Sequence, residues 1–268
     1  MSTPLVIEIG GTRVALACGD PRFRRMLRRR FAGFLADAPA PAPEFHLDIE
    51  VQPPVLLAGL DPEADAEARF CGGVWEFQRG DFRARWDPAR GCGRVQQAVN
   101  PYALDSVLRI LHTLLLAPRG GLLLHAASAI RNGRAYVFAG VSGAGKTTMI
   151  RLAPPDVVPL SDEVSYLVPD GNGYRAWGTP FAGDWGVPGP NLSAPLARVL
   201  LLRQAEEARF EPLPAAVAAR ELLRSTLFFA REPASVAQVF QSVGRLQQAA
   251  PVERFHFPLT AAAWEAIP

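Results

Sequence analysis

The chain has 268 residues, 49 % of them hydrophobic and 20 % charged, with a formal net charge of +2. That balance describes a globular protein large enough for two domains, and it speaks against a nucleic acid or an anionic membrane as partner. Three cysteines (Cys18, Cys71, Cys92) and four histidines are scattered without metal-ligand spacing, as expected of reduced thiols in a cytoplasm rather than a disulfide frame.

The first twenty residues carry no basic start followed by an apolar segment, so no secretory signal is expected. The most apolar region, residues 106–130, is broken by Arg109, His112, Arg119 and Gly120-Gly121, which leaves no run of spanning length. A cytoplasmic protein is the expectation.

Residues 5–9 and 13–16 read as two strands joined at Gly10-Gly11, a pair that tolerates the positive φ of a tight hairpin. Asp20 and Pro21 are a helix cap and a first-turn residue. The helix that follows places Phe23, Met26, Leu27, Phe31, Phe34 and Leu35 on one side. Arg24, Arg25, Arg28 and Arg29 fall mostly on the other, more in the manner of a solvated face than of a dock for an acidic partner. Residues 38–43 alternate Ala and Pro and predict an extended connector. Residues 45–51 alternate strictly, as a half-buried strand does. After a loop rich in Pro, Asp and Ala, strands are expected at 73–79, 82–87 and 94–99, separated by turn signals at Gly80-Asp81 and Gly91. Together these predict a small α+β domain over residues 1–99, a unit for substrate or partner binding, with Trp75, Phe77 and Trp86 in its core.

Asn100-Pro101 repeats the cap-plus-proline signal and opens a second domain, residues 100–268. Its first helix, to about Leu116, spaces Leu104, Val107, Leu108, Leu111 and Leu115 helically. Residues 122–130 read as a strand, Asn132-Gly133 as a hairpin turn, and 134–138 as the returning strand. That strand runs into Gly140-Val141-Ser142-Gly143-Ala144-Gly145-Lys146-Thr147, which fits the phosphate-loop pattern G-x-x-x-x-G-K-[ST]. Lys and Arg together number 28, and Lys146 is the single lysine among them. A guanidinium is a flat fork, whereas an ammonium is a compact point charge that fits between phosphate oxygens. The one position that keeps lysine is therefore the one where a phosphate loop needs it.

Each residue of the loop has an expected part in holding ATP and Mg²⁺. The glycines let the backbone wrap closely, so that N–H groups of the stretch from Gly140 through Ser142, Gly143, Ala144 and Gly145 point at phosphates. Lys146 neutralises β- and γ-phosphoryl oxygens, Thr147 offers a hydroxyl to the metal, and Thr148 sits on the helix surface or makes a minor contact. The sequence neighbour of the loop-bearing strand is an antiparallel hairpin partner rather than a parallel strand reached by a crossover.

Residues 156–160 form a short apolar strand ending at Asp162-Glu163, sixteen residues beyond Lys146. Carboxylates at such a strand end are where phosphoryl transfer requires a metal contact and a base for the attacking hydroxyl. A strand at 174–177 leads into a Gly/Pro loop ending at Asp184, a candidate third acidic contact to the metal. A strand at 199–202 and helices at 215–229 and 234–248 follow. One of Arg203, Arg224 or Arg231 is expected to meet the transferring phosphoryl group.

The run Leu124-His125-Ala126-Ala127, the Asn-Gly hairpin, the 140–147 loop and Leu160-Ser161-Asp162-Glu163 resemble, in order and spacing, the catalytic domain of HPr kinase/phosphorylase. Its relatives include small kinases encoded beside peptide-maturation genes. The resemblance covers roughly residues 120–168 and does not extend to the first hundred. It implies an α/β fold with an HPr kinase/carboxykinase-like core and a mixed sheet, and an ATP-dependent kinase as the activity. By the resemblance, Asp162 matches the catalytic base and Glu163 the neighbouring acid that acts on the metal. The family pattern has Asp-Asp where Asp-Glu stands here. His125 is implied near the γ-phosphate or in orienting Asp162. The acceptor implied is a hydroxyl, serine first, on a small protein, peptide or metabolite. A second reading is a non-catalytic nucleotide-binding regulator or scaffold, which needs Lys146 and Thr147 but no base. A third, an ATP-dependent carboxykinase, is disfavoured by the small chain and by the lack of a second His and Lys cluster. A homo-oligomer is left open.

Overall fold

The computed structural model describes residues 3–36, 42–53 and 66–268. Residues 38–41 of the expected connector at 38–43, and the loop at 54–65, lie outside the described residues. The chain divides into two compact units, Met1–Leu114 with Phe228–Val236, and Leu115–Leu227 with Ala237–Pro268. It is a mixed α/β protein in which each unit is built on one mixed sheet. Among the described residues, no helix is long and apolar enough to cross a membrane.

In the first unit, seven strands are β1 (Leu5–Ile9), β2 (Thr12–Cys18), β3 (Phe45–Val51), β4 (Glu67–Cys71), β5 (Val74–Arg79), β6 (Phe82–Asp87) and β7 (Cys92–Gln97). Their order is β1-β2-β3-β7-β6-β5-β4, with β3 parallel to both neighbours and every other pair antiparallel. Helix α1 (Pro21–Arg30) starts as the sequence expects: the Asp20 carboxylate accepts from the N–H groups of Arg22 and Phe23 at 2.7 and 2.9 Å. Phe23 and Leu27 are buried, and so are Phe31 and Phe34 just beyond. Helix α2 (Pro101–Leu116) buries Leu104, Val107, Leu108 and Leu111, and a partly buried ion pair between Arg30 and the buried Asp105 ties the two helices. Burial pushes the Asp105 carboxyl up, against the pull of Arg30. Trp75, Phe77 and Trp86 lie in the core. Strand β4 escapes sequence reading because its residues from Arg69 to Cys71 are exposed and carry no alternation.

The second unit contains β8 (Leu122–Arg131), β9 (Arg134–Ala139), β10 (Val158–Ser161), β11 (Val164–Asp170), β12 (Gly173–Trp177), β13 (Ser193–Gln204), β14 (Arg209–Pro212) and β15 (Val252–Phe257). Their path is β10-β8-β11-β12-β13-β15-β14, with β9 pairing β8 and β13. Asn132 and Gly133 take φ of 51° and 71°, the two positive values a type I′ turn demands, and so β8 and β9 form the expected hairpin. On its other side β9 runs parallel to β13, which is parallel in turn to β15. Strand β8 reads as a continuous apolar run because it is paired along its length: residues 122–125 face β11, and 126–131 face β9.

The helices of this sequence region are α3 (Lys146–Arg151), α4 (Ala215–Ser225), α5 (Pro233–Ala249) and α6 (Ala262–Glu265). The helix expected over 215–229 stops at Ser225. Thr226 bridges to Leu124, and the Leu227 N–H donates to the Leu123 carbonyl at 2.8 Å, so sheet pairing outcompetes another helical turn. One face of the sheet closes around Phe138, Met149, Ile150, Phe255, Phe257 and Trp264.

Candidate active site

Strand β9 ends at Ala139 between β8 and β13, and the chain turns through 140–145 before entering α3 at Lys146. Two positions of the turn are too tight for a side chain. A Cβ on Gly140 would stand 2.7 Å from the Ala144 Cβ, and one on Gly145, where φ is 107°, would stand 2.7 Å from Phe257 Cζ. Both positions therefore need glycine, one for space and the other for space and conformation. Gly145→Ala is expected to destabilise the chain by about 1–2 kcal/mol from the left-handed backbone alone, and a urea melt indistinguishable from wild type would show that the loop is not held as described.

Inside this turn the Lys146 ammonium, on a residue only 8 % exposed, donates to the carbonyls of Gly140 at 3.0 Å and Val141 at 3.3 Å. Burial pushes its pKa below the ordinary lysine range, while the negative charge of Glu163 pulls it back up. Ser142 is exposed, and Ala144, Thr147 and Thr148 are half-buried. Gln204, the last residue of β13, donates from Nε2 to the Gly143 carbonyl at 2.9 Å and fastens the outer side of the loop. Gln204 and Phe257 both belong to the parallel strands that continue past β9, and sequence reading gave neither a part in the site.

Asp162 and Glu163 form the turn between β10 and β11. The Ser161 hydroxyl accepts from the N–H groups of Glu163 and Val164 at 3.2 and 2.9 Å, which holds the turn tight. The two carboxylates then part company. Asp162, 1 % exposed, accepts from the Gly183 N–H through Oδ1 at 2.9 Å and from the Trp185 N–H through Oδ2 at 2.8 Å. Glu163 is partly exposed, its Oε1 lies 3.5 Å from His125 Nδ1, and its charge is felt at Lys146. His125 reaches it because it stands opposite Val164 in the β8–β11 register.

The fold thus gathers Lys146, Glu163 and His125 about the end of β9, and gives Asp162 to the 183–185 loop. Asp184 is exposed in that loop, and its carbonyl, not its carboxylate, accepts from Arg151 at 3.3 Å. Among the described residues no three His, Cys, Asp or Glu side chains converge closely enough to hold a metal by themselves. Of the three arginine candidates, Arg203 is exposed beside Gln204, Arg224 sits 4.0 Å from Glu221 on α4, and Arg231 belongs to the other unit.

Residues 96–267 match the family model described as SynChlorMet cassette protein ScmC. No curated protein matches the chain. Among solved structures, the chain is similar to the Hpr(Ser) kinase/phosphatase from Coxiella burnetii, at 10 % identity, over 51 % of this chain and 85 % of that one, with a TM-score of 0.30.

Proposed function

The chain belongs to the SynChlorMet cassette protein ScmC family, and we propose that it is an ATP-dependent phosphotransferase with an HPr kinase/carboxykinase-like core. Its acceptor is a hydroxyl, serine first, on a small protein, peptide or metabolite handled by the same cassette. One observation carries the reading: the sole lysine of the chain is buried in a glycine loop at the end of a central strand, within the charge of Glu163 from the β10–β11 turn, whose carboxylate in turn stands against His125 of β8.

The residues present fit a nucleotide triphosphate. Glycine at 140 and 145 lets the loop wind closely against Ala144 and Phe257, where a Cβ would clash, while at Gly143 nothing stands within 4 Å of where a Cβ would be. Loop N–H groups and the Lys146 ammonium hold the phosphoryl charge, which is most of what this reaction asks of a protein. Mg²⁺ would be held by the Thr147 hydroxyl and the Glu163 carboxylate, an oxygen set suited to an ion that keeps water and phosphate as its other ligands, and it supplies charge neutralisation when bound. In the transfer, the acceptor oxygen forms a bond to the γ-phosphorus as the bond from that phosphorus to the β,γ-bridging oxygen breaks, and ADP leaves. The acceptor proton passes to the Glu163–His125 pair rather than to Asp162, whose carboxylate is taken up by the 183–185 loop.

The test incubates the purified chain with γ-labelled ATP, Mg²⁺ and each protein or peptide encoded in the same cassette. Label on a serine-bearing acceptor is the expected result. ATP retained tightly with no label on any acceptor would replace this reading with a nucleotide-binding regulator or scaffold.

A further inference from the structure

Asp162 and Glu163 are neighbours in sequence, yet their surroundings assign them opposite work. Each oxygen of Asp162 is engaged by a backbone N–H of the 183–185 loop, and the residue is almost wholly buried. The same loop is fastened again from α3, where Arg151 donates to the Asp184 carbonyl, and Trp185 packs against the cluster that contains Met149 and Ile150. Gly183 is where the two carboxylates meet. A Cβ there would stand 2.8 Å from Glu163 Oε2 and 3.0 Å from Asp162 Oδ2. The loop held by Asp162 is therefore one wall of the space in which the Glu163 carboxylate stands, and that carboxylate acts on His125 and Lys146.

We propose that Asp162 is a positioning residue: its carboxylate latches the 183–185 loop to the β10–β11 turn, and the latched loop sets Glu163, the carboxylate that faces the reacting groups. A charged group taking two backbone N–H bonds is a strong, directional clamp. A carboxylate buried with an N–H on each oxygen is poorly placed to reach a substrate proton, which a base must do at hydrogen-bond range. The kinetic side of this proposal rests on the phosphotransfer reading, and the loop side does not.

The full-length chain and its Asp162→Asn, Glu163→Gln and Gly183→Ala variants are compared in two ways: hydrogen exchange of the 183–187 backbone without nucleotide, and ATP turnover with Mg²⁺. Asn keeps the shape of Asp162 but offers one acceptor oxygen where there were two. Exchange of the segment in Asp162→Asn is expected to quicken about tenfold. In the same variant KM for ATP rises several-fold while kcat stays within about tenfold of wild type. Glu163→Gln keeps the slow exchange and loses about a hundredfold in kcat. Gly183→Ala retains Asp162 but intrudes on Glu163, and should lower kcat in the same direction. Unchanged exchange in Asp162→Asn overturns the latch, as does a loss of kcat of a hundredfold or more at unchanged KM. If Asp162→Asn does not fold, Gly183→Ala decides: wild-type kinetics there refute the proposal. Wild-type chain that turns over no ATP removes the phosphotransfer reading, and the exchange comparison still decides the latch.

Discussion

If the proposed phosphotransfer holds, Lys146→Met is expected to lose ATP turnover by about 10²–10³-fold, the scale on which removal of one preorganised electrostatic group acts, while the chain stays folded. Methionine matches the length and apolar stem of lysine and removes only the charge and its donors. The bonds lost, to the Gly140 and Val141 carbonyls, are ordinary ones at 3.0 and 3.3 Å, worth about 1 kcal/mol each in net stability. Activity and stability should therefore separate. Because no other lysine exists in the chain, no neighbouring ammonium can take over. Lys146→Arg should rescue poorly, since the wider planar fork does not fit a space shaped for a point charge. Steady-state turnover with Mg²⁺ and ATP, set beside a thermal melt, checks both halves. Activity within about threefold of wild type in Lys146→Met would mean that the loop is not where phosphate is held.

Trp264→Ala should cost about 3–5 kcal/mol, the range for deleting a large buried aromatic ring. The ring is 1 % exposed, meets Phe138 edge to face at 5.4 Å, and donates from Nε1 to the Met149 carbonyl at 2.8 Å. Met149 belongs to α3, the helix that begins with Lys146, so the same substitution removes a support of the glycine loop. Loss of stability and weaker ATP retention are expected together, the first from urea melts and the second from titration calorimetry at a temperature where the variant is folded. Trp264→Phe, which keeps most of the ring but not the donor, should lose about 1–3 kcal/mol. A melt of Trp264→Ala within about 1 kcal/mol of wild type would show that α6 and its tryptophan are not part of this core.

Much of the fold was legible because it is written in short-range chemistry. The Asp20 cap, the helical spacing of Phe23 and Leu27, and the alternation of residues 45–51 each fix an element from within a few positions of sequence. The Asn132-Gly133 turn does more, since its two positive φ angles oblige β8 and β9 to pair antiparallel. The glycine loop follows from the same kind of evidence, with the lone lysine marking its place. What lay beyond reach is what depends on partners distant in the chain. Strand β15 pairs with β13 across nearly fifty residues and brings Phe257 under Gly145, and no local pattern names that partner.

The acidic pair shows the division most plainly. Sequence by itself determined that two carboxylates stand at a strand end after a phosphate-type loop, because residue type and spacing are properties of the chain. Which carboxylate turns toward Lys146 and which is given to a distant loop was decided only by tertiary structure. Adjacent side chains leave the backbone in different directions, and the neighbours that wait for them here are the 183–185 backbone for Asp162, and His125 with Lys146 for Glu163.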